Sequence, residues 1–139
     1  KYGDWKDIKL YSKNKNIKQL EQYEIQLIVL SGYMRLLSSE FVEQFAPNII
    51  NIHPSLLPAF PGADAHTDVL ASGVKVSGCT VHVVDAGMDS GTILAQRRVP
   101  VFDTDTRSEL AKRIQVEEHR LYPSVIDLIC SGHRFVLDD

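Results

Sequence analysis

Continuous apolar runs mark the first strands that the sequence predicts. Residues 26–31 contain the unbroken run Leu-Ile-Val-Leu, and residues 48–52 carry a second run that begins Asn-Ile-Ile. Strands that are apolar on both sides are typical of a parallel sheet covered by helices. Between the two runs, Ser38-Ser-Glu precedes apolar positions at helical spacing, which indicates a helix start. The pattern therefore predicts a strand–helix–strand unit.

Three further segments show helical patterns. Residues 17–23 form a short polar stretch, and residues 65–72 form a short helix that Gly73 should stop. Residues 106–109, Thr-Arg-Ser-Glu, match a capping box that opens a long helix. Pro123 should kink or split that helix, because proline removes a backbone donor. Its apolar side is predicted to contain Leu110, Ile114, Leu121 and Val125.

Alternating patterns predict two more strands, at residues 74–84 and 93–99. Because only a short loop joins them, they are expected to pair as an antiparallel addition at one side of the sheet. The predicted fold class is α/β: a Rossmann-like, mostly parallel twisted sheet with helices on both faces and an antiparallel addition.

Composition and charge limit the classes of partner that this protein is expected to bind. The 139-residue chain has a net charge of −3 and 24% charged residues, so nucleic-acid binding through bulk charge is not expected. Cys79 and Cys130 form no metal or redox motif and read as small buried residues, with one disulfide left open. No run is long enough to span a bilayer, no signal peptide pattern is present, and no metal-ligand spacing occurs. A cytoplasmic protein without a metal is expected.

The segment Asn51-Ile-His53-Pro is the most informative in the chain. Alternation places Asn51 and His53 on one face near the carboxyl end of a strand, where ligands bind in open α/β sheets. An amide can donate to an oxyanion, and an imidazole can exchange a proton near neutral pH. The alternative, non-catalytic interpretations are a strand-end cap for Asn51 and a structural role for His53.

Two loops are expected to join this pair. Residues 32–37 follow the first apolar strand, and residues 85–91 follow the long alternating strand. The second loop carries Asp85 and Asp89, and its backbone groups suit a planar polar heterocycle. Asp89 beside His53 would stabilise the imidazolium. Taken alone, however, Asp89 in a glycine-containing loop is more often a turn residue.

Five segments occur in an order that resembles a known family: Gly32-Tyr-Met-Arg-Leu-Leu, Asn51-Ile-His-Pro-Ser-Leu-Leu-Pro-Ala-Phe-Pro-Gly62, Thr80-Val-His-Val-Val, Met88-Asp-Ser-Gly91 with Ile93-Leu-Ala-Gln96, and Glu117-Glu-His-Arg-Leu-Tyr-Pro123. Together they resemble the formyltransferase family, and within it the phosphoribosylglycinamide formyltransferases (GAR transformylases). The Asn-x-His-Pro and Asp-x-Gly motifs are shared across 10-formyltetrahydrofolate hydrolases and transferases. The resemblance covers roughly residues 25–130 and implies the formyltransferase fold.

The resemblance implies transfer of a formyl group from 10-formyltetrahydrofolate to the amine of glycinamide ribonucleotide, in de novo purine biosynthesis. Asn51 would donate to the forming oxyanion, His53 as imidazolium would stabilise it and supply a proton, and Asp89 would support His53. Glu118 matches a position that contacts the ribonucleotide. The folate would contact Met34, Arg35, Leu36, Leu37, Asn51, Asp85, Ala86, Gly87, Met88 and Asp89. The family also implies a homodimer, with no nucleic-acid or membrane partner.

Two departures from the family change these expectations. The strand and glycine-rich phosphate turn with which the family begins are not matched, so residues 1–139 are expected to form one domain equivalent to its C-terminal two-thirds. Asp64 stands where the family often has His, and is expected to add a negative charge that raises carboxylate pKa values near the site.

Other functions stay open from the sequence. A hydrolase would use water as the acceptor, although those enzymes tend to carry a second His where this chain has Pro54. Methionyl-tRNA formyltransferase would need a further basic domain. A third alternative is a folate-binding module without activity.

Overall fold

The structure is a computed structural model that describes residues 9–10, 27–31, 39–45, 48–85 and 89–132. The described strands form one five-stranded sheet in the order β1-β2-β3-β4-β5. The strands are β1 (Lys9–Leu10), β2 (Ile28–Ser31), β3 (Ile49–His53), β4 (Val76–Val83) and β5 (Ile93–Pro100). The helices are α1 (Ser39–Phe45), α2 (Ala65–Ser72) and α3 (Arg107–Cys130). The polar helix predicted at residues 17–23 lies outside the described residues.

The sheet is mixed. β1, β2 and β3 pair in parallel, whereas β4 pairs antiparallel with both β3 and β5. The α/β fold class and the antiparallel addition at one side are therefore confirmed. Of the four pairings among the described strands, two are parallel and two are antiparallel. Both antiparallel pairings belong to the addition formed by β4 and β5.

Helices cover both faces of the sheet, as the doubly buried strands predicted. On one face, Val29 and Ile50 join a large apolar cluster that includes residues from α2 and α3. On the other, Ile28 and Ile49 form a smaller cluster against two phenylalanines of α1. All five residues of β3 are buried, so this strand passes through the centre of the molecule.

Helix α3 packs its apolar side on the sheet. The four predicted positions, Leu110, Ile114, Leu121 and Val125, are all buried. The capping box is also confirmed, because the Thr106 hydroxyl accepts a hydrogen bond from the Glu109 amide. The prediction that Pro123 splits the helix is wrong, since α3 continues through it to Cys130. The apolar side on both sides of Pro123 is buried, and this packing outweighs the lost backbone bond.

Helix α2 begins and ends where the sequence predicted. Asp64 caps its first turn, and Gly73 ends it in the left-handed region with φ of 76°. A left-handed residue after the last turn favours glycine, which has no Cβ to clash. The cysteines are both free thiols, and burial raises the pKa of Cys79 to about 12.

Candidate active site

The central pair of the site lies at the carboxyl end of β3. Ile50 and Ile52 point into the large apolar cluster, so Asn51 and His53 share the opposite face, as alternation predicted. Asn51 and His53 are both buried. Across the antiparallel pairing, Asn51 lies opposite His82, and His53 lies opposite Thr80. The polar groups of β3 and β4 therefore meet on one face of the sheet.

Residues 54–62, here called the strap, leave β3 and fold back over His53. The Nε2 atom of His53 lies 2.9 Å from the carbonyl oxygen of Phe60. This carbonyl can only accept, so Nε2 carries a proton and donates to it. The backbone N–H of Gly62 donates to Oδ2 of Asp89 at 2.9 Å. One short segment therefore orients both the imidazole and the carboxylate.

Asp89 joins the pair from the loop after β4. Its Oδ2 lies 3.5 Å from Nδ1 of His53, and its side chain is 12% exposed. Asp89 adopts φ of 52°, in the left-handed region that few residues other than glycine occupy. Such backbone strain is typical of functional sites, where surrounding contacts maintain it. The structure thus brings together the three residues proposed from the sequence as catalytic: Asn51, His53 and Asp89.

Gly91 explains why the loop can return Asp89 to His53. A Cβ built on Gly91 would lie 1.6 Å from the carbonyl oxygen of Val83, at the end of β4. Only glycine permits this approach of two backbone segments. The loop is further closed by Ser90, whose hydroxyl donates to Oδ1 of Asp85 at 2.8 Å. The Asp-x-Gly motif therefore combines a carboxylate with the close approach that positions it.

His82 is a second imidazole beside the carboxylate. Its Nε2 lies 3.9 Å from Oδ1 of Asp89, and its Nδ1 lies 3.2 Å from the carbonyl oxygen of Val83. Burial lowers the pKa of His82, so the ring is neutral at pH 7. Nδ1 then donates to Val83, and the Nε2 lone pair faces Asp89. Nε2 has no hydrogen-bond partner among the described residues.

Two further polar groups face this region. Oδ1 of Asn51 is buried without a hydrogen-bond partner in the described part of the chain. Burial raises the pKa of Glu118 on α3, while the charges of His119 and His53 act to lower it. Glu118 is therefore within electrostatic reach of His53. An unpartnered buried group in a native fold needs an explanation, and a bound substrate is one.

The predicted folate contacts are only partly described. Asp85 lies at the start of the loop after β4, where it is exposed, and Asp89 lies against His53. Seven others lie outside the described residues: Met34, Arg35, Leu36, Leu37, Ala86, Gly87 and Met88.

Asp64 has partners of its own in the structure, and its expected effect on carboxylates near the site stays a prediction. Its carboxylate caps α2, accepting from the Thr67 hydroxyl at 2.8 Å, and it pairs with Nε of Arg107 at 3.1 Å. These contacts, led by the Thr67 hydrogen bond, lower the pKa of Asp64 rather than raise it. The negative charge of Asp64 is therefore engaged by the first turn of α2 and by the Arg107 guanidinium.

Two residues that position the strap were not recognised from the sequence as site residues. Thr80 on β4 and Gln96 on β5 are cross-strand neighbours, and both hydrogen-bond to the strap. Alternation could have placed Thr80 beside His82 on the site face of β4. Gln96 could not be placed, because the register of β5 depends on an irregularity between Val81 and His82.

No group of three or more His, Cys, Asp or Glu residues is arranged to hold a metal ion in the part of the chain that the structure describes. Among the helices described, none has the length and apolar character needed to cross a membrane.

The fold and the site define a class of protein: an α/β domain with an amide, an imidazole and a carboxylate at the carboxyl end of its central strand. Residues 6–126 match the family described as formyl transferase. The chain belongs to this family.

Several relatives carry more specific names. The chain is 51% identical over 110 residues to phosphoribosylglycinamide formyltransferase of Bacillus subtilis (strain 168), covering 79% of this chain and 56% of that protein. It is 49% identical over 113 residues to the trifunctional purine biosynthetic protein adenosine-3 of Gallus gallus, covering 81% of this chain and 11% of that protein. The crystal structure of glycinamide ribonucleotide transformylase 1 from Symbiobacterium toebii superposes with a TM-score of 0.82 at 47% identity, covering 87% of this chain and 60% of that one. The chain thus spans less than two thirds of each.

Proposed function

We propose that this chain carries the catalytic part of a phosphoribosylglycinamide formyltransferase, which transfers a formyl group from 10-formyltetrahydrofolate to the amine of glycinamide ribonucleotide in purine biosynthesis. The contact between His53 and Asp89, on the same face as the buried Asn51, is the observation that carries this proposal. The names of the Bacillus and Symbiobacterium relatives support the choice of substrates.

His53 acts through its Nδ1 atom. Nε2 is occupied by the Phe60 carbonyl, which fixes the plane of the ring. The separation of 3.5 Å between Nδ1 and the Asp89 carboxylate is longer than an ordinary hydrogen bond. A substrate oxygen or a water molecule can therefore compete for the Nδ1 proton. With both nitrogens facing acceptors, the doubly protonated ring satisfies the most hydrogen bonds.

The three side chains then divide the reaction. The substrate amine attacks the formyl carbon, and the carbonyl oxygen becomes an oxyanion. The Asn51 amide donates to that oxygen, and the His53 imidazolium stabilises its charge and supplies a proton. When this intermediate collapses, the bond between the formyl carbon and N10 of the folate breaks, and N10 leaves with the proton that His53 supplies. Asp89 balances the imidazolium and receives, through water, the proton that the amine loses. The buried setting strengthens each electrostatic contribution.

The remaining assignments rest on the family resemblance. Glu118, half-buried near His53, is proposed to contact the ribonucleotide. The folate is proposed to contact residues 34–37 and the loop 85–89, which contains Asp85 and Asp89. The relatives are biosynthetic enzymes, which supports a cytoplasmic location, and homodimer formation stays a prediction.

The test uses the natural full-length protein with 10-formyltetrahydrofolate, in the presence and absence of glycinamide ribonucleotide. Mass spectrometry would detect formylated ribonucleotide, and a formate assay would detect hydrolysis. Formylation that requires the ribonucleotide supports the proposal. Formate released at the same rate without it would instead identify a hydrolase, and folate binding with neither product would identify an inactive binding module.

A further inference from the structure

A buried hydroxyl on β4 attaches the strap to the sheet. Thr80 is fully buried, and its Oγ1 donates to the carbonyl oxygen of Ser55 at 2.7 Å. The same oxygen accepts from the backbone N–H of Leu57 at 3.0 Å and from Nε2 of Gln96 at 3.0 Å. A hydroxyl can donate once and accept twice, so every hydrogen-bonding position of Thr80 is used.

Gln96 completes this attachment from the neighbouring strand. Its Nε2 donates to the Leu57 carbonyl oxygen at 2.9 Å as well as to Thr80. Both backbone polar groups of Leu57 are therefore bonded to side chains of β4 and β5. Gly78 on β4 permits the close approach of β5, because a Cβ there would lie 1.9 Å from the carbonyl oxygen of Arg97, and it would also lie 2.8 Å from a methyl group of Leu56 in the strap.

The attachment continues along the strap to the catalytic pair. The Ser55 hydroxyl donates to the carbonyl oxygen of Ala59 at 2.6 Å and lies 3.1 Å from that of Phe60. Phe60 is the residue whose carbonyl fixes His53, and Gly62 donates to Asp89. A shift of the strap at Leu57 would thus be passed to both members of the pair.

We propose that Thr80 and Gln96 are positioning residues, which hold the strap so that Nδ1 of His53 and the carboxylate of Asp89 remain aligned for formyl transfer. Neither residue needs to touch substrate. This inference rests on the proposed function for its catalytic consequence, but its structural consequence, a fixed His53 ring, can be measured without turnover.

Thr80→Val replaces the hydroxyl with a methyl group of nearly equal size. We expect kcat to fall by about 10-fold to 100-fold, since a displacement of about 1 Å can cost 10²-fold in rate. KM for the folate should change by less than about threefold. Thr80→Ser keeps the hydroxyl and should restore most of kcat.

Gln96→Met removes both amide donors at an exposed position and should give a smaller fall in kcat. Thr104→Val and Gln44→Met, at exposed positions of the 101–106 turn and of α1, serve as matched controls.

The imidazole ¹⁵N signals of His53 and hydrogen exchange at the Leu57 amide provide the readout that needs no turnover. In Thr80→Val and Gln96→Met, both should change, whereas Thr80→Ser and the controls should resemble wild type. Unchanged His53 signals in the two variants, even with lower stability, would reduce Thr80 and Gln96 to structural roles and overturn the inference.

The test still decides the proposal in two unfavourable cases. If Thr80→Val does not fold, Gln96→Met decides alone, because its side chain is exposed. If the wild-type protein transfers no formyl group, the proposed function fails, and the His53 signals still decide whether the strap is fixed in this way.

Discussion

At the scale of single residues, the site is defined by which nitrogen of each imidazole is occupied. His53 donates through Nε2 to Phe60 and turns Nδ1 towards Asp89. His82 donates through Nδ1 to Val83 and turns Nε2 towards the same carboxylate. Asp89 therefore lies between a ring proposed to be charged and a ring that burial keeps neutral. The two histidines are not interchangeable.

The neutral state of His82 predicts how stability depends on pH. Burial lowers the pKa of His82 below the ordinary value of 6.5, so this ring binds fewer protons in the folded protein than in the unfolded chain in this range. The resulting stability is present above pH 6.5 and is lost as the pH falls towards the folded-state pKa. Urea unfolding between pH 7 and pH 5 should show this decline. His82→Asn keeps a donor for Val83 and cannot take up a proton, so its decline should be shallower; an equal slope would contradict the assignment.

At the scale of elements, the loop after β4 depends on a glycine. Replacing Gly91 by Ala would force a Cβ against the Val83 carbonyl. We expect this variant to lose about 1–3 kcal/mol of stability, as overpacked sites do, and to lose formyl transfer because Asp89 moves. Gly73→Ala is the control, because Gly73 has positive φ but nothing within 4 Å of its added Cβ.

Chemical denaturation and the transfer rate separate the two glycine variants. Gly73→Ala should cost about 1 kcal/mol, the usual penalty of a left-handed residue, while the transfer rate stays near wild type. If Gly91→Ala also kept its transfer rate, the close approach at Val83 would not be what positions Asp89.

Elements were predictable from the sequence where local chemistry decides them. The bounds of α2 follow from Gly73 and from the pattern before it, and the start of α3 follows from the capping box. The strand predicted at residues 74–84 is shorter in the structure, Val76–Val83, because strand ends depend on pairing. Pro123 does not split α3, because tertiary packing overrides an unfavourable residue, whereas a kink at Pro123 stays a prediction.

The site was predictable to a similar degree. Alternation on β3 placed Asn51 beside His53, whereas the choice of Asp89 rested on the family resemblance, because an aspartate in a glycine-containing loop is more often a turn residue. The contacts of the strap with Thr80 and Gln96 depend on the register of three strands, which the sequence does not encode locally. The sequence analysis did not recognise that Asp64 caps α2, where its carboxylate accepts a hydrogen bond from the Thr67 hydroxyl.

At the scale of the whole molecule, α3 is joined to the strands that carry the site. The Tyr122 hydroxyl donates to the carbonyl oxygen of Leu30 on β2 and lies 3.2 Å from that of Ile50 on β3. Burial raises the pKa of Tyr122, so the hydroxyl stays protonated and can donate. One side chain thus ties the longest helix to the two parallel strands at the centre of the sheet.

Tyr122→Phe tests this connection with little change in shape. Loss of the buried hydrogen bonds should lower the free energy of unfolding by about 1–2 kcal/mol. Chemical denaturation with the m-value monitored would measure it. Stability equal to wild type would mean that the apolar packing of α3 is sufficient and that the hydroxyl contributes nothing.

The central claim is that His53, aligned by the strap and by Asp89, performs formyl transfer. The most direct measurement is the single-turnover rate of His53→Ala in the natural full-length protein, with folate affinity measured on the same sample. The rate should fall by at least about 10²–10³-fold, as for the loss of an oxyanion-stabilising group, while affinity changes by less than about threefold. Transfer at a rate near wild type would contradict the account.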